Sequence, residues 1–197
     1  MQKRNLLDNF RKRGFSESVI EAFAKVKRED FVQAGQEDYS YEDIPLSIGY
    51  DQTISQPSTV AFMLNLLDLK EGNKVLEIGS GSGYALALIS EIVKNGKVYG
   101  VERIKELAVR SQKLLKDNKN IKVINRSGAG GLPEFAPFDR ILISAACPEI
   151  PRNLYSQLKD PGIMVAAVRQ SIFLIKKNSG EIIEKEFPGF AFVPFIQ

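Results

Sequence analysis

The run Val75-Leu76-Glu77-Ile78-Gly79-Ser80-Gly81-Ser82-Gly83 constrains the chain more than any other feature. An apolar strand pattern ends in glycines at alternate positions, and helical periodicity resumes at once over 84–93. A turn of that kind lets the backbone approach a ligand closely, and the helix behind it offers free N–H groups. The spacing is Gly-x-Gly-x-Gly. It is not the dinucleotide fingerprint Gly-x-Gly-x-x-Gly, and it lacks the Lys-Ser/Thr of a P-loop, so cradling a phosphate is not its best use.

Strands and helices alternate around this element. Strand patterns at 74–78, 97–101, 121–125 and 139–144 are interleaved with helical patterns at 84–93, 104–116 and 152–158. That alternation predicts an α/β fold of Rossmann-like type, a mostly parallel sheet with helices on both faces. The last third differs. Runs at 163–168, 171–177 and 181–187 are separated only by turn signals such as Asn178-Ser179-Gly180, which predicts antiparallel strands. Upstream, helices are expected at 3–13 and 16–27, parted by Gly14, with Ser16 or Ser18 opening the second and a polar loop over 29–43. A length of 197 residues suits one domain, with a helical segment over 1–56 and an α/β core over 57–197.

Composition removes whole classes of chemistry. With no histidine there is no Ser-His-Asp triad, no Cys-His pair and no histidine-ligated zinc. Cys147 is the sole cysteine, which excludes an intrachain disulfide or a thiolate cluster and suits a reducing cytoplasm. No apolar run approaches the roughly 18 residues of a membrane span, and the start lacks a signal-peptide pattern. No metal is implied. The net charge of +3 is concentrated in residues 1–28, where Lys3, Arg4, Arg11, Lys12, Arg13, Lys25, Lys27 and Arg28 outnumber three acids. These residues alternate with Leu6, Leu7, Phe10, Val19, Ile20, Phe23 and Val26 at helical spacing, as on the solvated face of two amphipathic helices.

Two acids stand where a ligand of the glycine loop would lie. Glu102 falls 25 residues beyond Glu77, at the end of the second strand, where a carboxylate can hold ribose hydroxyls. An acidic pocket suits a ligand carrying positive charge, such as the sulfonium and ammonium of S-adenosylmethionine. Glu77 also fits a purely structural pairing. Ser55, two residues before Pro57 and ahead of Val60, Met63, Leu64 and Leu67, is a good helix N-cap by local pattern alone.

Longer motifs carry a family resemblance. They are Asp43-Ile44-Pro45-Leu46-Ser47-Ile48-Gly49-Tyr50-Asp51-Gln52-Thr53-Ile54-Ser55-Gln56-Pro57, the loop already described, Val101-Glu102-Arg103, Gly131-Leu132-Pro133-Glu134 and Ala145-Ala146-Cys147-Pro148-Glu149-Ile150-Pro151. Together with Val26 to Val32 they resemble, in order and over about residues 5–177, the protein-L-isoaspartate (D-aspartate) O-methyltransferase family of class I methyltransferases. The resemblance implies S-adenosylmethionine as methyl donor and the α-carboxylate of isoaspartyl residues in damaged peptides as acceptor, the ester then collapsing to a succinimide. It implies Ser55 as the active-site serine and places Gln52, Thr53, Ile54, Ser55, Gly79, Ser82 and Glu102 on positions that line the cofactor. Glu77, Gly81, Gly83, Ser127 and Gly128 complete the expected cofactor set, and residues 1–56 are expected as the substrate-side segment. A carboxylate acceptor is ionised at neutral pH and needs no general base, which agrees with the missing histidine. A monomer is expected, with no nucleic-acid or membrane partner.

The chain departs from the family pattern in places. Arg126-Ser127-Gly128 stands where Gly-Asp-Gly is common, so a charge near the adenine is lost. Asp51 replaces a usual glycine, Ser58 replaces a bulky wall of the peptide pocket, and Cys147 replaces an alanine. Two other readings follow: a methyltransferase acting on nucleic acid, suggested by the basic N-terminal segment, and a cofactor-binding module without transfer activity, suggested by Ser127 and Ser58. The first lacks an Asn/Asp-Pro-Pro-Tyr element, a Pro-Cys order and an aromatic stacking series.

Overall fold

The computed structural model describes residues 2–193. Two helices, α1 (Gln2–Lys12) and α2 (Glu17–Lys25), lead into two short 3-10 helices, Arg28–Phe31 and Glu37–Tyr39. A hairpin of β1 (Leu46–Gly49) and β2 (Gln52–Ile54) follows, then α3 (Pro57–Leu67). The α/β part runs β3 (Lys74–Ile78), α4 (Tyr84–Val93), β4 (Lys97–Glu102), α5 (Lys105–Leu114), β5 (Ile121–Asn125), β6 (Phe138–Cys147), β7 (Leu158–Val168), β8 (Ser171–Asn178) and β9 (Glu181–Pro188).

The seven-stranded sheet has the order β5-β4-β3-β6-β7-β8-β9, parallel from β5 to β7 and antiparallel from β7 to β9. The chain leaves β3 toward β4 and β5, then returns to β3's other side with β6. That reversal opens a crevice at the carboxyl end of β3, where open α/β sheets bind ligands. β3 can occupy the centre because Val75, Leu76 and Ile78 are each at most 1% exposed, satisfying both faces of a buried parallel strand.

One apolar cluster joins the N-terminal helices to the sheet. Leu6, Phe10, Val19, Ile20 and Phe23 pack with Leu64 and Leu67 of α3 and with Leu88 and Ile89 of α4. Edge-to-face contacts carry it inward, Phe10 to Phe23 at 5.0 Å and Phe23 to Tyr84 at 5.9 Å. Such pairs contribute about 0.5–1.5 kcal/mol each beyond the area they bury.

Several expectations need correction. The helix expected at 152–158 is a single 3-10 stretch, Arg152–Ser156, with Pro151 before it and the longer β7 taking Leu158. β6 runs past 144 to Cys147, pairing with Val168 after an irregularity. Two 3-10 turns interrupt the loop expected over 29–43, and the β1–β2 hairpin is an element that the sequence pattern does not announce. Ser16 occupies the N-cap of α2 but makes no side-chain cap bond. Arg28 does not belong to a solvated basic face: it is fully buried. Ser55 is not the cap of α3 either. Gln56 takes that position without a side-chain cap bond to the backbone, and the open first turn is satisfied by Asp43, whose Oδ1 accepts the Ser58 N–H at 2.7 Å.

Candidate active site

The carboxyl ends of β3, β4 and β6, the β1–β2 hairpin and the start of α4 enclose an open cleft of about 830 Å³ including its mouth. Gln52, Thr53, Ile54, Ser55, Gly79, Gly81, Ser82, Glu102 and Gly128 all line it. Glu77, Gly83 and Ser127 do not. Ile48, Tyr84, Ala85, Arg103, Ile104, Ser144, Ala145 and Val193, outside the set expected from sequence, line it as well. Of these, Ser144 has a detectable signal, its place at the end of the β6 pattern.

The glycine loop is shaped for close approach. Gly79 and Gly81 have φ of +77° and +51°, where an L side chain is strained. A Cβ on Gly81 would come within 3.1 Å of Ile48 Cδ1, tying the loop to the hairpin across the cleft. Gly83 faces away, toward Ser111 of α5.

Glu102 ends β4 at only 6% exposure and is fixed by the backbone. Its Oε2 accepts the Gly81 N–H at 2.8 Å and its Oε1 accepts the Ile104 N–H at 2.9 Å. A carboxylate has about four lone-pair sites, so each oxygen can still accept from a ligand hydroxyl.

Glu77 lies behind the cleft wall. The Ser144 hydroxyl donates to its Oε1 at 2.7 Å, while Oε2 is buried with no partner among the described residues. Burial pushes this carboxyl up to about 8, the Ser144 bond pulling against that rise and the nearby Glu102 charge adding to it. Ser80 Oγ is a second buried polar atom without a partner among the described residues, and Ser80 lines the cleft. An unsatisfied hydroxyl beside a glycine cradle fits a polar ligand that brings a hydrogen-bond partner.

Ser55 sits half-buried at the junction of β2 and α3, its hydroxyl without a protein partner among the described residues. Apolar Ile48, Ile54 and Val60 surround that side of the cleft. Ser58 is buried in the first turn of α3, bonded through Oγ to Gln56, and is not part of the cleft wall. The loop carrying Ser127 and Gly128 is tied by Arg126, which pairs with Glu134 at 2.9 Å and donates to the Gly131 carbonyl. Ser127 Oγ accepts the Ala129 N–H at 3.3 Å. Cys147 is buried, its thiol pushed up to about 11 by desolvation, and it lines a neighbouring cleft with Pro148 and Ile150. Among the described residues there is no cluster of three or more His, Cys, Asp or Glu side chains suited to a metal, and no helix long and apolar enough to cross a membrane.

The chain as a whole is similar to known proteins. Among curated relatives, protein-L-isoaspartate O-methyltransferases of Methanococcus aeolicus and Methanocella arvoryzae are 48% and 47% identical, over 90% and 87% of this chain and 85% and 95% of their own. The Fervidobacterium nodosum protein of the same name is 45% identical over 96% of this chain and 98% of its own. A solved protein-L-isoaspartate O-methyltransferase superposes with a TM-score of 0.89 at 29% identity, covering 98% of this chain, which spans 65% of that longer one. A Plasmodium falciparum chain assigned the same activity, solved with S-adenosyl-L-homocysteine, superposes at 0.86 and 27% identity, covering 98% of this chain and 97% of its own. The family model for protein-L-isoaspartate(D-aspartate) O-methyltransferase matches residues 1–197, so the chain belongs to that family.

Proposed function

We propose that this chain transfers a methyl group from S-adenosylmethionine to the α-carboxylate of L-isoaspartyl residues in damaged proteins, beginning their repair through a succinimide. One observation carries the reading: a serine hydroxyl with no protein partner among the described residues opens into an apolar-walled cleft, beside a glycine loop and a backbone-anchored acid, in a chain matched to this family from end to end. S-adenosylmethionine supplies an electrophilic methyl group bonded to a sulfonium. Glu102 would accept its ribose hydroxyls, and Gln52, Thr53, Ile54, Ser55, Gly79, Gly81, Ser82 and Gly128 would line its site. Glu77 contributes from behind Ser144, Gly83 by seating the loop on α5, and Ser127 by shaping the turn before Gly128.

The chain's own residues then have a limited task. The acceptor carboxylate, with a reference pKa of about 3.5–4, arrives ionised and needs no base. Ser55 Oγ donates a hydrogen bond to it and orients one oxygen toward the methyl group. Ile48, Ile54 and Val60 exclude water from the anion. Orientation of this kind can supply up to about 7–11 kcal/mol. The reading includes a single domain, with residues 1–56 on the acceptor side and 57–197 on the cofactor side. It also includes a monomer in the cytoplasm with no nucleic-acid partner, supported by an open cleft that a peptide must reach and by a lone, buried thiol.

The test is transfer of labelled methyl to an isoaspartyl peptide and to its aspartyl twin. Base-labile label on the isoaspartyl peptide alone, reduced in Ser55→Ala and Glu102→Ala, is the expected result. Cofactor binding without label would leave a protein with another acceptor or none.

A further inference from the structure

Arg28 opens the 3-10 helix Arg28–Phe31 and is the largest fully buried side chain among the described residues. It has no carboxylate within ion-pair distance among those residues. Taking a guanidinium out of water without a counter-charge is costly, so the geometry around it must compensate. Its partners are three carbonyls from three places: Nη1 donates to Ser40 at 2.6 Å, and Nη2 donates to Ile44 at 3.2 Å and to Ser55 at 3.1 Å. The guanidinium carbon also lies 5.9 Å from the ring centre of Tyr84, the residue that opens α4 and lines the cleft.

The Ser55 carbonyl belongs to neither the β1–β2 ladder nor the α3 hydrogen-bond series, which begins with the Gln56 carbonyl accepting from Thr59 and Val60. Nothing else among the described residues fixes that peptide plane. Three residues on, the Ser58 N–H is taken by Asp43, from the same 40–44 segment that Arg28 holds. The serine is thus clamped on both sides through one buried cation.

We propose that Arg28 is a positioning residue that sets the direction of the Ser55 hydroxyl by fixing the Ser55 carbonyl and the 40–44 segment. The inference rests on the reading of Ser55 as the group that orients the acceptor carboxylate. A planar fork suits the task, since a lysine ammonium keeps the charge but cannot span the same three carbonyls.

The experiment is a double-mutant cycle of Arg28→Lys with Ser55→Ala on the intact chain, reading peptide kcat and KM, S-adenosylhomocysteine affinity by calorimetry, and amide exchange over 52–58. Arg28→Lys should fold, bind S-adenosylhomocysteine within threefold of the parent, and lose tenfold or more in kcat with little change in peptide KM. On the Ser55→Ala background the same change should cost less than twofold, because residues acting together are not additive. Multiplicative losses, or a kcat within twofold of the parent, would overturn the proposal. If Arg28→Lys does not fold, Arg28→Gln, which keeps a planar donor, replaces it; failure of both assigns Arg28 to stability alone and also overturns it. If the parent methylates no isoaspartyl peptide, the functional reading fails separately. Exchange then decides: faster exchange at Ser58 with unchanged S-adenosylhomocysteine affinity sustains the clamp, and unchanged exchange removes it.

Discussion

Glu77 holds its proton at neutral pH because the sheet centre offers it one serine and no cation. Its folded value of about 8 lies above the ordinary carboxyl value of 4.5, so between those pH values the folded state binds a proton that the unfolded state has released. Stability therefore falls as pH rises from about 4.5 to about 8 and levels off above, by about 1.4 kcal/mol for each pH unit crossed. Glu77→Gln keeps the Ser144 bond and removes the ionisation. It should raise the unfolding free energy in urea by less than about 1 kcal/mol at pH 5 and by several kcal/mol, up to about 5, at pH 8.5. An equal effect at both pH values would mean that Glu77 is ionised in the fold. The acid's place at the end of the first strand is legible from the glycine loop, but its seclusion behind Ser144 is not. Local spacing names a residue's neighbours along the chain and says nothing of β6, which arrives 67 residues later. Arg28 escapes a sequence reading for the same reason: a basic residue on an amphipathic pattern looks solvated until the three carbonyls that surround it are in place.

At the scale of elements, period and punctuation locate most of the sheet, because strands buried on both faces read as apolar runs whatever they pair with. The β1–β2 hairpin and the start of α3 are harder. The β1–β2 turn places Tyr50 and Asp51 at φ of +57° and +56°, a two-residue turn normally announced by Asn-Gly. Here neither residue gives that signal, so the hairpin is imposed by burial of Leu46, Ile48 and Ile54. Replacing Tyr50-Asp51 by Asn-Gly should relieve left-handed strain and stabilise the protein by about 1 kcal/mol, read as a higher thermal midpoint. A lower midpoint would show that Tyr50 makes up for its backbone elsewhere. Capping rules look one residue back and therefore point to Ser55 at the start of α3. The group that accepts the Ser58 N–H, Asp43, sits fifteen residues away from it, and Asp43→Ala should cost about 1 kcal/mol in denaturant unfolding, with Asp43→Asn recovering most of it.

Across the whole molecule, the cleft is the place where the hairpin, the glycine loop and the end of the sheet meet, joined by Glu102 bonded to Gly81 and by Ile48 against that loop. A ligand that fills it therefore contacts elements from both halves of the chain and stabilises only the folded state. At S-adenosylhomocysteine about a hundredfold above its dissociation constant, linkage gives about 2.7 kcal/mol. For a chain of this length that is a rise of roughly 5–10 °C in the thermal midpoint, since each kcal/mol moves it by about 2–4 °C. Glu102→Gln loses the charge and can serve only one of the two backbone N–H groups, so a tenfold weaker complex should cut the rise by about half at the same ligand concentration. No rise in the parent would remove the cofactor from this cleft. An equal rise in the variant would free Glu102 from the ribose role while leaving the cofactor in place. The measurement needs no acceptor, so it separates cofactor binding from methyl transfer. A parent protein that gains the full rise yet transfers no methyl would place its divergence at the acceptor, in the 40–58 region that Arg28 and Asp43 hold together.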